Sequence, residues 1–390
     1  MAKPRWPEFD AILFACMLLL LGVGMLFIWS VSGRPDLLRE GTEYRDALKG
    51  QAMWAGWGLA AFFLVIRVPV KRWDDAAPLL YAGGLAALLA VLLFGPPVND
   101  ARRWFKVGGF TAQPSEFMKV ALVLVLARLL KFEKGAGAGI LARVSALVAV
   151  PFALVLLQPD MGTALLFIPV MLGMSFAGGV RLRLLLGAFL AALLCAGAFL
   201  GLGLKAYRAR VETLTARDRV WGLHAYQWRR IDSFHNAKAE RSAGGFQAQQ
   251  ARIAIGSGGL MGKGVRNGTQ TQLGLLPVSQ SDFIFAVVGE EWGLMGTGLV
   301  VLSFGGILLS CFSAASSALD PFSRLAAAGM GTLIGGEALL NTGVVTGLLP
   351  VTGTPLPLVS QGGSSLVATC IALGIVQGIR MRPGFDLGGG

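Results

Sequence analysis

The chain has 390 residues, of which 54% are hydrophobic and only 14% charged, with 54 glycines and a mean hydropathy of +0.65. That balance excludes a disordered chain, a small disulfide scaffold and almost any soluble enzyme, whose charged fraction is near ~25%. The net charge of +12 reads as loop charge of a membrane protein rather than as a nucleic-acid footprint, so no nucleic acid is expected.

The apolar stretches are continuous rather than alternating, which predicts an all-α polytopic membrane protein and not a barrel. A span needs roughly 20 apolar residues. Ten candidates follow in chain order, at 11–31, 51–66, 77–95, 114–132, 140–158, 161–179, 184–204, 283–310, 324–347 and 364–380. The first is long and ends in Trp29 and Ser30, which reads as an anchor rather than a cleaved leader. With both termini in the cytoplasm, fourteen Lys and Arg fall in inside segments and seven in the short outside loops, the bias expected of that orientation. Cys16, Cys195, Cys311 and Cys370 lie in apolar segments without a CxxC pair, which disfavours a disulfide frame or a zinc site.

Residues 205–282, between the seventh and eighth spans, hold twelve basic and five acidic residues. Long loops cross largely regardless of charge, and a loop of this length is usually functional. It carries Trp221, Trp228, Phe234 and Phe246, an apolar periodic piece at 246–255 and the run GSGGLMGKG at 256–264. The segment is expected to be a structured extracytoplasmic cap within a single membrane domain covering 1–390. The glycine run offers backbone N–H groups that suit a phosphate, though no strand precedes it and the Walker Lys–Ser/Thr pair is missing.

Charges inside apolar spans cost about 3 kcal/mol each and need a reason. The fourth span opens with QPSEFMK, placing Glu116 and Lys119 on one helix face. The sixth opens with QPDMGT, placing Asp160 near a helix N-terminus. Lys119 has Glu116, Asp160 or both as partners, either as a packing clamp or as part of a functional cavity. Glu337 stands alone in the ninth span and its partner is not legible. Asp282, in SQSDFIFAVVGEEWG, sits where the polar loop meets the eighth span. It reads either as a half-desolvated general base or, with Ser281, as the N-cap of a helix starting at Phe283. Glu290 and Glu291 lie further in, and at least one is expected to face a polar interior. The proline- and glycine-broken segment TGLLPVTGTPLPLVSQGGSS at 346–365 either lines a cavity or forms an outer turn.

Together the strings RRWFKVGGFTAQPSEFMK, QPDMGTALL, IAIGSGGLMGKG, SDFIFAVVGEEWG and GLLPVTGTPLPLVSQGGSS resemble the SEDS family of cell-wall glycosyltransferases, the RodA and FtsW proteins, with GKGVRNGTQTQLGLLP closer to RodA. The resemblance covers about Arg102 to Arg382. It implies an inverting peptidoglycan glycosyltransferase that polymerises lipid II into β-1,4 glycan strands at the outer face of the cell inner membrane during elongation. It also implies a divalent cation, Mg or Mn, with unknown ligands, and a class B penicillin-binding protein as partner. The family's essential aspartate matches Asp282, which shifts that residue from cap to base. Glu116, Lys119 and Asp160 match residues supporting the cavity, with a Lys119–Asp160 salt bridge implied. Arg102, Arg103, Lys263 or Arg266 would help the pyrophosphate leave. Four positions depart from the family: Gln280 and Ser281 replace the usual His-Thr before Asp282, Gln361 replaces a tyrosine, and Glu337 replaces a common Gln. The rival reading is a lipid II flippase or secondary transporter, since broken spans and intramembrane charges also fit one.

Overall fold

The computed structural model describes residues 6–32, 43–97, 101–107, 110–133, 137–211, 213–215, 218–221, 223–235, 243–276 and 279–382. A helical bundle dominates these residues, as it must where lipid satisfies no backbone polar group. Helices α1 (Ala11–Ser32), α2 (Glu43–Ile66) and α3 (Val70–Phe94) come first. A short antiparallel hairpin follows, β1 (Phe105–Val107) with β2 (Phe110–Ala112), in the register Phe105 to Ala112. Helices α4 (Pro114–Leu130), α5 (Ala138–Leu157), α6 (Met161–Ala177) and α7 (Leu182–Arg208) come next. A second hairpin, β3 (Arg219–Val220) with β4 (Leu223–His224), leads into α8 (Ala225–His235), α9 (Ala243–Gly258) and the single turn α10 (Thr269–Gln272). The chain then runs through α11 (Ile284–Ser317), α12 (Pro321–Val345) and α13 (Gly363–Arg380).

Each predicted apolar stretch overlaps one of these helices. Six are long and apolar enough to cross a membrane, namely α1, α3, α5, α7, α11 and α13, while α6 is a shorter apolar helix of 17 residues. The protein is therefore an integral membrane protein. The helix starts follow local chemistry. Pro114 occupies the first turn of α4, and Pro321 that of α12, where a missing N–H costs nothing. Asp10 accepts from Leu13 N–H at the start of α1, and Asp320 caps α12 by accepting from Ser323 N–H at 2.9 Å.

The centre is α4, α12 and α13, each buried around most of its circumference. The helix α13 packs on α2, α11 packs on α12, α9 and α1, and α12 also packs on α4 and α6. A second, smaller core joins the end of α7 to residues 220–231. Trp228 is fully buried there, donates its indole N–H to the Val220 carbonyl at 2.8 Å and lies against Gly203. On the opposite hydropathic logic, Asp74 of α3 ties Arg128 and Lys131 at the end of α4, a partly exposed cluster. The cysteines Cys16, Cys195, Cys311 and Cys370 are all free.

Candidate active site

Two polar clusters sit in the bundle, and α12 joins them. Glu116 and Lys119 are three residues apart on α4 and both are buried. The Lys119 Nζ donates to Glu116 Oε2 at 2.8 Å and also to Glu337 on α12. The Lys119–Asp160 pair expected from the resemblance does not form. Asp160 is the N-cap of α6 instead. It accepts from the Thr163 N–H at 3.3 Å, from the Thr163 hydroxyl at 3.0 Å and from Gln113 Nε2 at 3.1 Å. The reason is local: a carboxylate one residue ahead of a helix is captured by that helix's own unsatisfied N–H groups. The helix α12 packs on both α4 and α6, so Glu337 supplies the countercharge from 218 residues away. A small void of about 10 Å³, room for little more than a water, adjoins the triad and is lined also by Leu333, Ile334 and Thr369.

Asp282 does not cap the following helix. The helix begins at Ile284 and its N-cap is Phe283, whose side chain makes no capping hydrogen bond. Asp282 is half-buried in a turn whose backbone is held from three directions. Asn341 Nδ2 on α12 donates to the Asp282 carbonyl at 2.9 Å and to the Thr354 carbonyl at 2.7 Å. The Ser360 hydroxyl donates to the Ser281 carbonyl, and Gln361 N–H donates to the Gln280 carbonyl at 2.8 Å. Gln51 of α2 anchors the clamp by donating to the Ser360 carbonyl at 3.2 Å. The proline- and glycine-broken segment is thus a buried support for the Asp282 turn. Its residues Val351, Thr352, Thr354, Leu356, Leu358 and Val359 are buried. Sequence reasoning missed Asn341, Ser360 and Gln51. Only Asn341 carried a signal, standing four residues after Glu337 on the same helix face.

The glycine run at 256–264 is not a phosphate cradle. The N–H groups of Gly262, Lys263 and Gly264 donate to the carbonyls of Gly258, Glu290 and Glu291. The run lies backbone to backbone on α11, and a Cβ at Gly258 would meet the Gly289 carbonyl at 1.9 Å. Gly293, at φ +65°, kinks α11 to receive it. Both acids beside the kink are fully buried. Glu290 accepts from Lys263 Nζ, the Gln270 N–H, the Thr271 N–H and the Thr269 and Thr271 hydroxyls, all at 2.8–3.1 Å. Glu291 accepts from the Ser30 hydroxyl of α1. Glu290 therefore locks the loop to the bundle, and Glu291 ties α11 to α1.

The four cations proposed for the pyrophosphate are dispersed. Arg103 donates to the carbonyls of Gln158 and Pro159. Lys263 is tied to Glu290 and Thr269. Arg102 is exposed and donates to the Leu93 carbonyl, while exposed Arg266 stacks 3.7 Å over the Trp29 ring. Arg103 also lines a small pocket of about 40 Å³ with Pro159, Met161, Gln227, Ile231 and Thr352. In the 205–282 segment, hydrogen bonds from the Thr215 N–H and hydroxyl hold the Asp218 carboxyl below the usual range. Among the described residues no three His, Cys, Asp or Glu side chains gather to hold a metal.

Comparison with known proteins agrees with this architecture. Residues 10–383 match the FtsW/RodA/SpoVE family, described as cell cycle proteins. The chain is 34% identical to a probable peptidoglycan glycosyltransferase FtsW of Geobacter metallireducens, covering 96% of this chain and 95% of the relative. It is 31% identical to the peptidoglycan glycosyltransferase RodA of Treponema pallidum, with coverage of 96% and 98%. Its fold superposes with a TM-score of 0.78 on a chain from a peptidoglycan synthase complex solved for its coordination of polymerization and crosslinking. That match has 28% identity and covers 98% of this chain and all of the other.

Proposed function

The chain belongs to the FtsW/RodA/SpoVE family of cell cycle proteins, and from that premise we propose how it works. It is a peptidoglycan glycosyltransferase, and its substrate is lipid II. The observation that carries the mechanism is Asp282, a half-buried carboxylate on a turn clamped by α12 and the 350–361 segment. An acceptor sugar hydroxyl is far too weak an acid to attack unaided. Asp282 takes its proton as the hydroxyl oxygen bonds to the donor anomeric carbon. The bond from that carbon to the pyrophosphate oxygen breaks, and undecaprenyl pyrophosphate leaves with the electron pair. One displacement inverts an α-linked donor to a β-1,4 product.

Glu116, Lys119 and Asp160 support the cavity: the first two with Glu337 as a buried ion cluster, Asp160 as the cap that fixes the start of α6. Exposed Arg102 and Arg266 are the proposed pyrophosphate contacts, since Arg103 is half-buried against two carbonyls and Lys263 is paired with the Glu290 carboxylate. Ten helices cross the inner membrane with both termini cytoplasmic, and residues 205–282 lie outside. The partner is a class B penicillin-binding protein, in keeping with the solved complex that couples polymerization to crosslinking. Elongation is the proposed setting, although the relatives carry both RodA and FtsW names.

The test is polymerisation of labelled lipid II by purified protein. Asp282→Asn is expected to lose about 10²–10⁴-fold in rate, the usual worth of a general base. Near-normal strand synthesis by a folded Asp282→Asn protein rejects the base assignment. Translocation of lipid II in liposomes without any polymer points to a flippase.

A further inference from the structure

The hydrogen bonds around Asp282 assign a role to a residue that touches no reacting atom. Asn341 is buried at 1% exposure on α12. Both hydrogens of its amide are committed, one to the Asp282 carbonyl at 2.9 Å and one to the Thr354 carbonyl at 2.7 Å. This leaves its own Oδ1 buried without a hydrogen-bond partner among the described residues. The reverse orientation would set Oδ1 against two carbonyl oxygens, so the network fixes which way the amide faces. A buried acceptor without a donor is costly, and a side chain kept solely for packing would have no reason to hold one. Asp282 lies on a non-helical turn just ahead of α11, whose N-cap is Phe283. The same α12 face presents Glu337, one turn earlier, to Lys119. The helix is therefore pinned by an ion cluster at one point and holds the Asp282 turn at the next.

We propose that Asn341 is the positioning residue of the glycosyl transfer: its amide bridges the Asp282 turn to the 354 loop and sets where the Asp282 carboxylate meets the acceptor hydroxyl. The inference rests on the reading of Asp282 as the base. Binding of lipid II does not use Asn341, but the geometry of proton transfer does, and displacements of about 1 Å cost on the order of 10²-fold in rate.

The experiment measures kcat and KM for lipid II on full-length purified protein, with monodispersity and unfolding midpoint recorded for each variant. Asn341→Ala and the isosteric Asn341→Asp are expected to lose at least about 10-fold in kcat with KM within about twofold, the signature of an interaction needed at the transition state. Asn341→Asp decides between chemistry and shape, because it keeps the volume and leaves at most one donor, the O–H of a neutral carboxyl, for two carbonyls. Near-parental kcat in Asn341→Asp overturns the proposal, as does a loss confined to KM. If neither variant stays folded, Ser360→Ala takes their place. It removes the other side-chain hold on this turn, the hydroxyl on the Ser281 carbonyl; the same kcat loss at constant KM supports the clamp, and unchanged kcat overturns it. Failure of the base assignment is visible separately, as full activity in Asp282→Asn.

Discussion

The helices α7 and α13 are both apolar, yet they live in opposite surroundings. The more hydrophobic, α7, has a mean hydropathy of 2.4 over its best window and is 6% buried there, whereas α13 reaches only 1.3 and is 78% buried. In a water-soluble protein the order would be reversed. In a bilayer, lipid tails solvate leucine as well as other leucines do, so hydrophobicity does not drive a helix inward. Small and polar residues do. The helix α13 buries Ser364, Ser365, Thr369 and Gln377, and Gly374 brings it against the backbone of α2 at Phe62. The helix α7 shows Leu186, Leu190, Leu193 and Leu194 outward and is held mainly at its end, by Trp228.

The comparison can be broken by substitution, with unfolding midpoints in detergent as the readout. Lys119→Met is expected to cost about 3–5 kcal/mol, because two buried carboxylates lose the cation they share. Trp228→Ala is expected to cost about 3–5 kcal/mol within the small core, and limited proteolysis after it should cut first near the end of α7 rather than in the bundle. The same glycine-to-valine change separates the two helices directly. Gly374→Val should cost about 1–3 kcal/mol, since a Cβ there already meets the Phe62 carbonyl at 2.9 Å. Gly197→Val in α7, with nothing within 4 Å of the new carbon, should stay within about 0.5 kcal/mol of the parent. A large loss from Gly197→Val would show that α7 packs on something in the detergent-solubilised protein.

The polar residues were partly legible. Glu116, Lys119 and Asp160 stood out because a charge in an apolar span demands an explanation, and Asp282 because it ends a polar loop. Their roles were not legible from spacing alone. Lys119 faced two acids in sequence; it kept Glu116, and the second place went not to Asp160 but to Glu337. Asp160 and Asp282 occupy similar places just before a helix, yet only Asp160 became a cap. Its helix starts immediately after it, whereas Phe283 stands between Asp282 and α11. The glycine run was misread because an isolated string of N–H groups looks available until a carbonyl row, here Gly258 and the α11 kink, is laid against it.

Composition and the length of apolar runs by themselves determined that the chain is helical and membrane-embedded, and nearly where each helix lies, because a backbone in lipid has to satisfy its own N–H and C=O groups within the segment. The family followed from strings of residues contiguous in the chain. Tertiary structure alone decided which second carboxylate joins Glu116 on Lys119 and which amide holds the Asp282 turn. Both partners come from α12, and a contact between segments dozens to hundreds of residues apart is set by how helices pack, on which local periodicity carries no information.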